Sequence, residues 1–199
     1  MIARIIERLS ALHPELEMHE VEKGDLFGSE RWGAVLSPAE DGQSLYRYLL
    51  WRLYDETKPL LAVLMLNPSK ATHEMGDRTV DGLLRRAKRR GYGGILIMNC
   101  FAFRATEPAD MKRAKDPIGP ANDDVIGIVL EESLDLLCAW GVNAVHMDRE
   151  KEVKCAILSG NAKPHVLRLC ANGAPEHPLY IPASKELERW SFNCPDSGG

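Results

Sequence analysis

Two asparagines and one histidine stand where they could bind a polar ligand. Asn67 follows the apolar run Leu60 to Leu66, Asn99 ends a second apolar run that begins at Ile95, and His177 lies in a late proline-rich segment. An amide carries a donor and an acceptor, and an imidazole can donate a hydrogen bond or move a proton. Each residue also has a simpler interpretation, because an asparagine before proline often only caps a turn and a loop histidine is often exposed.

The element between the two asparagines predicts how they are positioned. Leu60 to Leu66 is a continuous apolar run, typical of a strand covered on both faces in a parallel sheet. Thr79 to Arg90 has the spacing of an amphipathic helix, Gly91 to Gly94 ends it, and Ile95 to Met98 starts the next strand. This β-α-β unit brings Asn67 and Asn99 to one edge of the sheet.

The helix Thr79 to Arg90 carries a basic outer face. Such a face is usually a solvated surface, but it is also suited to contact with phosphates. The candidates for nucleic-acid contact are Lys70, Arg85, Arg86, Arg89 and Arg90.

The rest of the chain repeats this alternation. The predicted elements are a helix capped by Asn122 to Asp124, a strand Leu134 to Trp140, a helix Ala144 to Leu158, a strand Val166 to Cys170 and a closing helix Ala183 to Phe192. We therefore predict an α/β fold, a three-layer sandwich with a central, mainly parallel four-stranded sheet.

One domain is expected over residues 1–199. An extension over 1–58 would contain a helix, Met1 to Leu12, and a hairpin that pairs Trp32 to Leu36 with Ser44 to Tyr54. Residues 59–192 would form the parallel-sheet core and 193–199 a frayed tail.

Composition excludes several classes of protein. No apolar run approaches the roughly 20 residues of a membrane span, and the N-terminus lacks the pattern of a secretory signal, so we expect a cytoplasmic protein without membrane contact. The net charge of -4 argues against nonspecific coating of nucleic acid. The five cysteines include no C-x-x-C pair, so we expect reduced thiols and no zinc site.

Open α/β sheets bind ligands at the carboxyl ends of their strands. One cleft should therefore collect the residues that follow each predicted strand. The candidates for substrate contact are Pro68, Ser69, Asn99, Phe101, Arg104 and Trp140.

Several of these segments match a known family pattern. They are Leu66 to Ser69, Asn99 to Thr106, Gly119 to Asp123 and His177 to Tyr180, with Tyr46-Arg47-Tyr48 upstream. In these segments the sequence resembles the uncharacterised DUF1643 family of bacterial and phage proteins, from about residue 26 to about residue 190. The family name implies no activity.

The order of the strand-end motifs also resembles, more distantly, that of the uracil-DNA glycosylase superfamily. That resemblance implies catalytic roles for Asn67, which would position the attacking water, and for His177, which would stabilise the departing base. Asn99 would recognise the edge of a flipped base.

This sequence departs from the superfamily pattern in three respects. The first motif lacks the aspartate that many uracil glycosylases use, and a neutral asparagine is a poor base. The last motif is His-Pro-Leu-Tyr instead of His-Pro-Ser, and the cysteines lack the clustering of iron-sulfur members, so no cluster, metal or other cofactor is expected.

Three hypotheses follow for function. The first is a glycosylase-like protein that recognises a base in DNA, such as uracil or a modified pyrimidine, and hydrolyses its N-glycosidic bond. The second is a module of the same fold that binds a nucleotide or nucleic acid without cleavage. The third is a phosphate- or metal-dependent enzyme that uses Asp77, Arg104 and Asp123, although this trio lacks recognisable metal-ligand spacing.

Overall fold

The computed structural model describes residues 1–25, 28–69, 78–132 and 134–194, and the side chains of all of these except residues 23–25, 28, 29 and 180. In chain order the strands are β1 (Glu17–Asp25), β2 (Gly28–Leu36), β3 (Ala39–Glu40), β4 (Gln43–Ser44), β5 (Arg47–Leu53), β6 (Leu60–Met65), β7 (Gly94–Asn99), β8 (Asp135–Cys138), β9 (Lys163–Val166) and β10 (Glu188–Arg189). The α-helices are α1 (Ile2–Leu12), α2 (Arg78–Arg89), α3 (Pro108–Arg113), α4 (Asn122–Leu130) and α5 (Arg149–Ser159), with 3-10 helices at Val142–Asp148 and Pro178–Tyr180.

Eight of these strands form one sheet in the order β1-β2-β5-β7-β6-β8-β9-β10. The four strands β7, β6, β8 and β9 run parallel to one another, as predicted. The bounds predicted for the last of them, Val166 to Cys170, are wrong, because β9 covers Lys163–Val166. The prediction of a four-stranded, mainly parallel sheet is nevertheless wrong. The hairpin joins the core sheet through antiparallel pairing of β5 with β7, so most pairings in the sheet are antiparallel.

Helices cover both faces of the sheet. On β6, Ala62 and Leu64 belong to the core beneath α1, α4 and α5, whereas Leu61 and Val63 pack with α2. This alternation follows from the period of two in a strand and explains why β6 is apolar throughout. Within the described residues, no helix has the length and apolar character that crossing a bilayer would need.

The N-terminal predictions are largely confirmed. Helix α1 forms, and β2 pairs with β5 as the predicted hairpin. The sequence pattern did not predict β1, which pairs with β2 along its whole length and lies at the edge of the sheet.

The C-terminal prediction of a helix over Ala183 to Phe192 is wrong. This segment is extended at β10, and Trp190 donates its backbone N–H to the Pro164 carbonyl at 3.0 Å while its ring packs on Trp140, 5.6 Å between centroids. Cys194 forms a disulfide with Cys155 of α5, so the prediction of reduced thiols is wrong for this pair. The same disulfide anchors the second residue of the predicted frayed tail. Residues 195–199 lie outside the described part of the chain.

Candidate functional site

The loops after β6 and β7 are held together by backbone hydrogen bonds. Cys100 and Phe101 donate their N–H groups to the carbonyls of Met65 and Leu66, at 2.8 and 2.9 Å, so the parallel ladder continues beyond the two strands. Further on, the Ala105 N–H donates to the Pro68 carbonyl at 2.9 Å. The strand ends that the sequence predicted to meet therefore run side by side.

Asn67 fastens the same two loops through its side chain. Its Nδ2 donates to the Ala105 carbonyl at 2.8 Å and to the Pro68 carbonyl at 3.2 Å. The remaining polar atom of the side chain is Oδ1, which can only accept a hydrogen bond. Asn67 thus fulfils the simpler interpretation of a turn cap and still presents one acceptor.

Buried polar side chains bind the backbone carbonyls at the end of β7, where Asn99 lies. The Nδ2 of Asn122 donates to the carbonyls of Asn99 and Cys100, both at 3.1 Å, and the Nε of Arg149 donates to the Cys100 carbonyl at 2.7 Å. Asn122 is fully buried, and Arg149 pairs with Asp123 and Glu152. The predicted capping role of Asn122 is therefore wrong: Ala121 occupies the cap position, and Asn122 fixes the end of β7.

The Gly119 to Asp123 segment packs against the start of β5. Gly119 has φ +88, and a Cβ there would lie 2.7 Å from the Tyr46 ring. Both the conformation and the close approach require glycine.

His177 lies beside the loops after β6 and β7, although it follows β9 in the chain. After β9 the chain turns back on itself, and the Glu176 N–H donates to the Arg168 carbonyl at 2.9 Å. His177 then caps the 3-10 turn that begins at Pro178, with its Nδ1 accepting the Leu179 N–H at 3.4 Å. An accepting Nδ1 places the proton of a neutral imidazole on Nε2.

Asn67, Asn99 and His177 line one cavity of about 260 Å³. The three segments that carry them are far apart in sequence, and the sheet brings them together. Of the residues that the structure describes, no aspartate or glutamate lines this cavity. The apolar part of its wall is formed by Leu50, Met65, Leu66, Pro68, Val80, Ile97, Ala105 and Pro108, and the polar part also includes Arg47, Ser69, Thr79 and Thr106.

Arg47 is a cavity residue that was not among the site residues predicted from the sequence. It begins β5, is only 8% exposed, and lies at the cavity wall. Burying an arginine costs free energy, so an arginine at the start of an apolar strand is unusual. That position in the sequence is the signal that could have identified Arg47 as a site residue.

Three predicted substrate contacts do not line the cavity. Phe101 and Trp140 are buried in the core below α4 and α5, at 0% and 1% exposure, because the chain after each strand turns their rings inward. Arg104 donates from Nη1 to the Ser44 carbonyl at 3.1 Å and holds the loop against the hairpin. Pro68, Ser69 and Asn99 do line it.

The four arginines predicted to contact nucleic acid at the end of α2 divide into two pairs. Arg86 is 3% exposed and donates to the carbonyls of Ile181, Pro182 and Lys185, so its predicted place on the outer face is wrong. Arg90 also donates to the Lys185 carbonyl and pairs with Glu186. Both fasten α2 to the C-terminal segment, whereas Arg85 and Arg89 are exposed.

The third hypothesis relied on Asp77, Arg104 and Asp123, of which the structure describes Arg104 and Asp123. Asp123 forms an ion pair with Arg149 of α5. Neither Asp123 nor Arg104 lines the cavity. Lys70 and Asp77 lie outside the described residues. Among those that are described, no group of three or more acidic, histidine or cysteine residues could hold a metal ion.

Comparison with known proteins gives a family and no activity. No curated protein and no solved structure matches the chain. The resemblance to uracil-DNA glycosylases therefore stays a prediction from the strand-end motifs. One family model, described as a protein of unknown function (DUF1643), matches residues 47–179, a span that includes the loops after β6 and β7, the Asn122 network and His177. The chain belongs to the DUF1643 family.

Proposed function

We propose that this protein recognises a nucleobase, in DNA or in a nucleotide, within the cavity at the carboxyl ends of β6 and β7. The observation that carries the proposal is that Asn67, Asn99 and His177 line one cavity together with the buried Arg47. At about 260 Å³ the cavity is smaller than the roughly 300–1,000 Å³ of typical ligand pockets. That size suits a single planar ring better than a fused multi-ring cofactor.

The lining groups suit the chemistry of a pyrimidine. In the proposed complex the Asn99 amide recognises the base edge, since an amide supplies a donor and an acceptor side by side. Apolar residues such as Leu66, Pro68 and Ile97 contact the ring faces. Arg47 and the Nε2–H of His177 donate to carbonyl oxygens of the base.

The same groups could also assist hydrolysis of the N-glycosidic bond. That reaction develops negative charge on the departing base, so donors such as Arg47 and His177 would stabilise the transition state more than the ground state. Asn67 has Nδ2 committed to two carbonyls and offers only Oδ1 to a water molecule. A neutral acceptor orients a water without removing its proton, so we expect slow cleavage.

The second candidate is recognition without cleavage, in a binding module of the same fold. It is favoured by the lack of a carboxylate among the described lining residues, because such a group would be the natural base for activating water.

Oligonucleotides that carry uracil or 5-hydroxymethyluracil, single-stranded and duplex, separate the two candidates. Abasic sites revealed by alkali would identify a glycosylase, and selective binding without abasic sites would identify a binding module. Equal affinity for modified and unmodified oligonucleotides, with no cleavage, would refute nucleobase recognition.

Two variants test the site itself. Asn99→Asp should reduce the preference for the recognised base at least tenfold, because a carboxylate cannot donate. Asn172→Asp, which makes the same charge change in an exposed turn, should leave it unchanged. His177→Gln should weaken recognition and His19→Gln, on edge strand β1, should not, and thermal unfolding of each variant verifies that it is folded.

A further inference from the structure

A groove adjoins the nucleobase cavity on the side of α2. It has a volume of about 470 Å³ and runs between the first two turns of α2 and residues 178–183. Thr79 lines both the groove and the cavity, and His177 of the cavity is followed by Pro178 of the groove. A ligand in the cavity could therefore continue into the groove without crossing the core.

Three arginines line this groove; Arg86 is buried and bound to carbonyls, and the other two give the groove an accessible positive charge. Arg78 and Arg85 line it and are exposed, and neither pairs with a carboxylate anywhere in the described part of the chain. They are seven residues apart, so they share one face of α2 at a separation of about 10 Å along its axis. Two flexible arginine side chains can close on one phosphate across that distance or contact neighbouring phosphates.

The other charges of α2 are used differently. Arg86 and Arg90 are bound to backbone carbonyls of the C-terminal segment. Asp81, the acidic residue of the first turn, does not line the groove and lies near Arg52. Within the described residues, Arg78 and Arg85 thus keep their charges without a paired carboxylate at the side of the cavity, and Arg78 stands at the positive end of the helix dipole.

We infer that this groove binds the phosphate of the nucleotide whose base occupies the cavity. The inference rests on the proposed function for the base, and it makes the ligand a nucleotide or a DNA strand instead of a free base. The phosphate could belong to a mononucleotide or to a strand, and the experiment distinguishes these sources.

The first arm compares deoxyuridine with its 5′- and 3′-monophosphates by isothermal titration calorimetry. One monophosphate should bind at least tenfold more tightly than the nucleoside, and Arg78→Ala plus Arg85→Ala should abolish that advantage. The matched control is Arg8→Ala plus Lys151→Ala, which removes the same charge from α1 and α5 on the opposite face of the sheet and should preserve the advantage.

The second arm needs no knowledge of the base. A fluorescent oligothymidylate of about twelve nucleotides, a length within the usual site size for single strands, is titrated at several salt concentrations. Loss of two phosphate contacts should lower the slope of log K against log salt by about 1.4 in the Arg78/Arg85 double variant. The control variant should keep the wild-type slope.

Each result has a distinct meaning. A monophosphate advantage without oligonucleotide binding assigns the groove to a mononucleotide, and the predicted change of slope assigns it to a strand. If a nucleoside binds but no phosphate adds affinity in either arm, the inference is wrong and base recognition stands. If no nucleoside binds but the slope changes as expected, the groove binds phosphate and the proposed function is wrong.

Discussion

Replacing Asn122 by alanine should weaken the structure that supports the candidate site. Asn122 is fully buried, and its Nδ2 is shared by the carbonyls of Asn99 and Cys100, both at 3.1 Å. Without it the Asn99 carbonyl loses this side-chain donor, while the Cys100 carbonyl keeps the Nε of Arg149 at 2.7 Å. The end of β7, and with it the Asn99 amide, should become less fixed.

The magnitude follows from these contacts. Leaving a buried acceptor without its donor costs about 1–3 kcal/mol, and the Cys100 carbonyl contributes only part of that cost. The Oδ1 of Asn122 has no hydrogen-bond partner in the described structure, so removing it offsets some of the loss. We expect a decrease in the free energy of unfolding of about 2–3 kcal/mol, which corresponds to a Tm lower by about 4–12 °C for a chain of this size.

Urea denaturation and thermal unfolding measure this effect, with Asn161→Ala as the matched control. Asn161 also donates its Nδ2 to one backbone carbonyl, that of Glu131 at 2.8 Å, but it is exposed. The control should cost less than about 1 kcal/mol, since water replaces the lost donor. Equal losses in the two variants would show that burial of the Asn122 network contributes nothing, and the account of how Asn99 is held would be refuted.

Two further predictions concern titrating groups. Burial raises the pKa of the Cys100 thiol to about 12 and raises that of Cys138 well above its ordinary value. In the native protein without a reductant, a thiol reagent at about pH 8 should therefore modify only Cys170 quickly. After denaturation, still without a reductant, it should modify three cysteines. Modification of all five cysteines under that condition would disprove the Cys155–Cys194 bond. The pKa of Tyr92 is raised by burial and by the Asp135 carboxylate, which accepts a hydrogen bond from the Tyr92 hydroxyl. Because the raised pKa belongs to the folded state, this contribution to the unfolding free energy is complete below about pH 10 and is lost as pH rises through the folded-state value. Urea titrations across that range should show a smaller loss in Tyr92→Phe, and an unchanged loss would contradict the assignment.

Local pattern was sufficient to predict β6 and β7 and the meeting of their ends. Leu60 to Leu66 and Ile95 to Met98 are apolar at every position because helices cover both faces, and this signal is contained within each run. Asn67 and Asn99 could then be placed at one edge by topology alone.

The errors arose where distant partners decide the structure. Asn122 has the sequence context of a cap, but its partners are the carbonyls of Asn99 and Cys100. Arg86 follows the helical pattern of a basic face, but carbonyls nearly a hundred residues later bury it. The segment around Trp190 is extended because that ring packs on Trp140. None of these partners can be identified from the local sequence.

The motifs that place the chain in its family carry two kinds of residue, and the structure separates them. Much of their polar capacity is used to build the loops: Nδ2 of Asn67 fastens two turns, Arg104 holds the hairpin, and Asn122 fixes the end of β7. A motif residue is therefore not a site residue merely because it is polar and follows a strand. What these segments contribute to the cavity is a smaller set, chiefly Oδ1 of Asn67, Asn99 and His177, and Arg47 joins them there. That set combines the donors of Arg47 and His177, the acceptor Oδ1 of Asn67 and an amide at Asn99 that can do both, which is the combination of groups that the proposed recognition of a nucleobase would use.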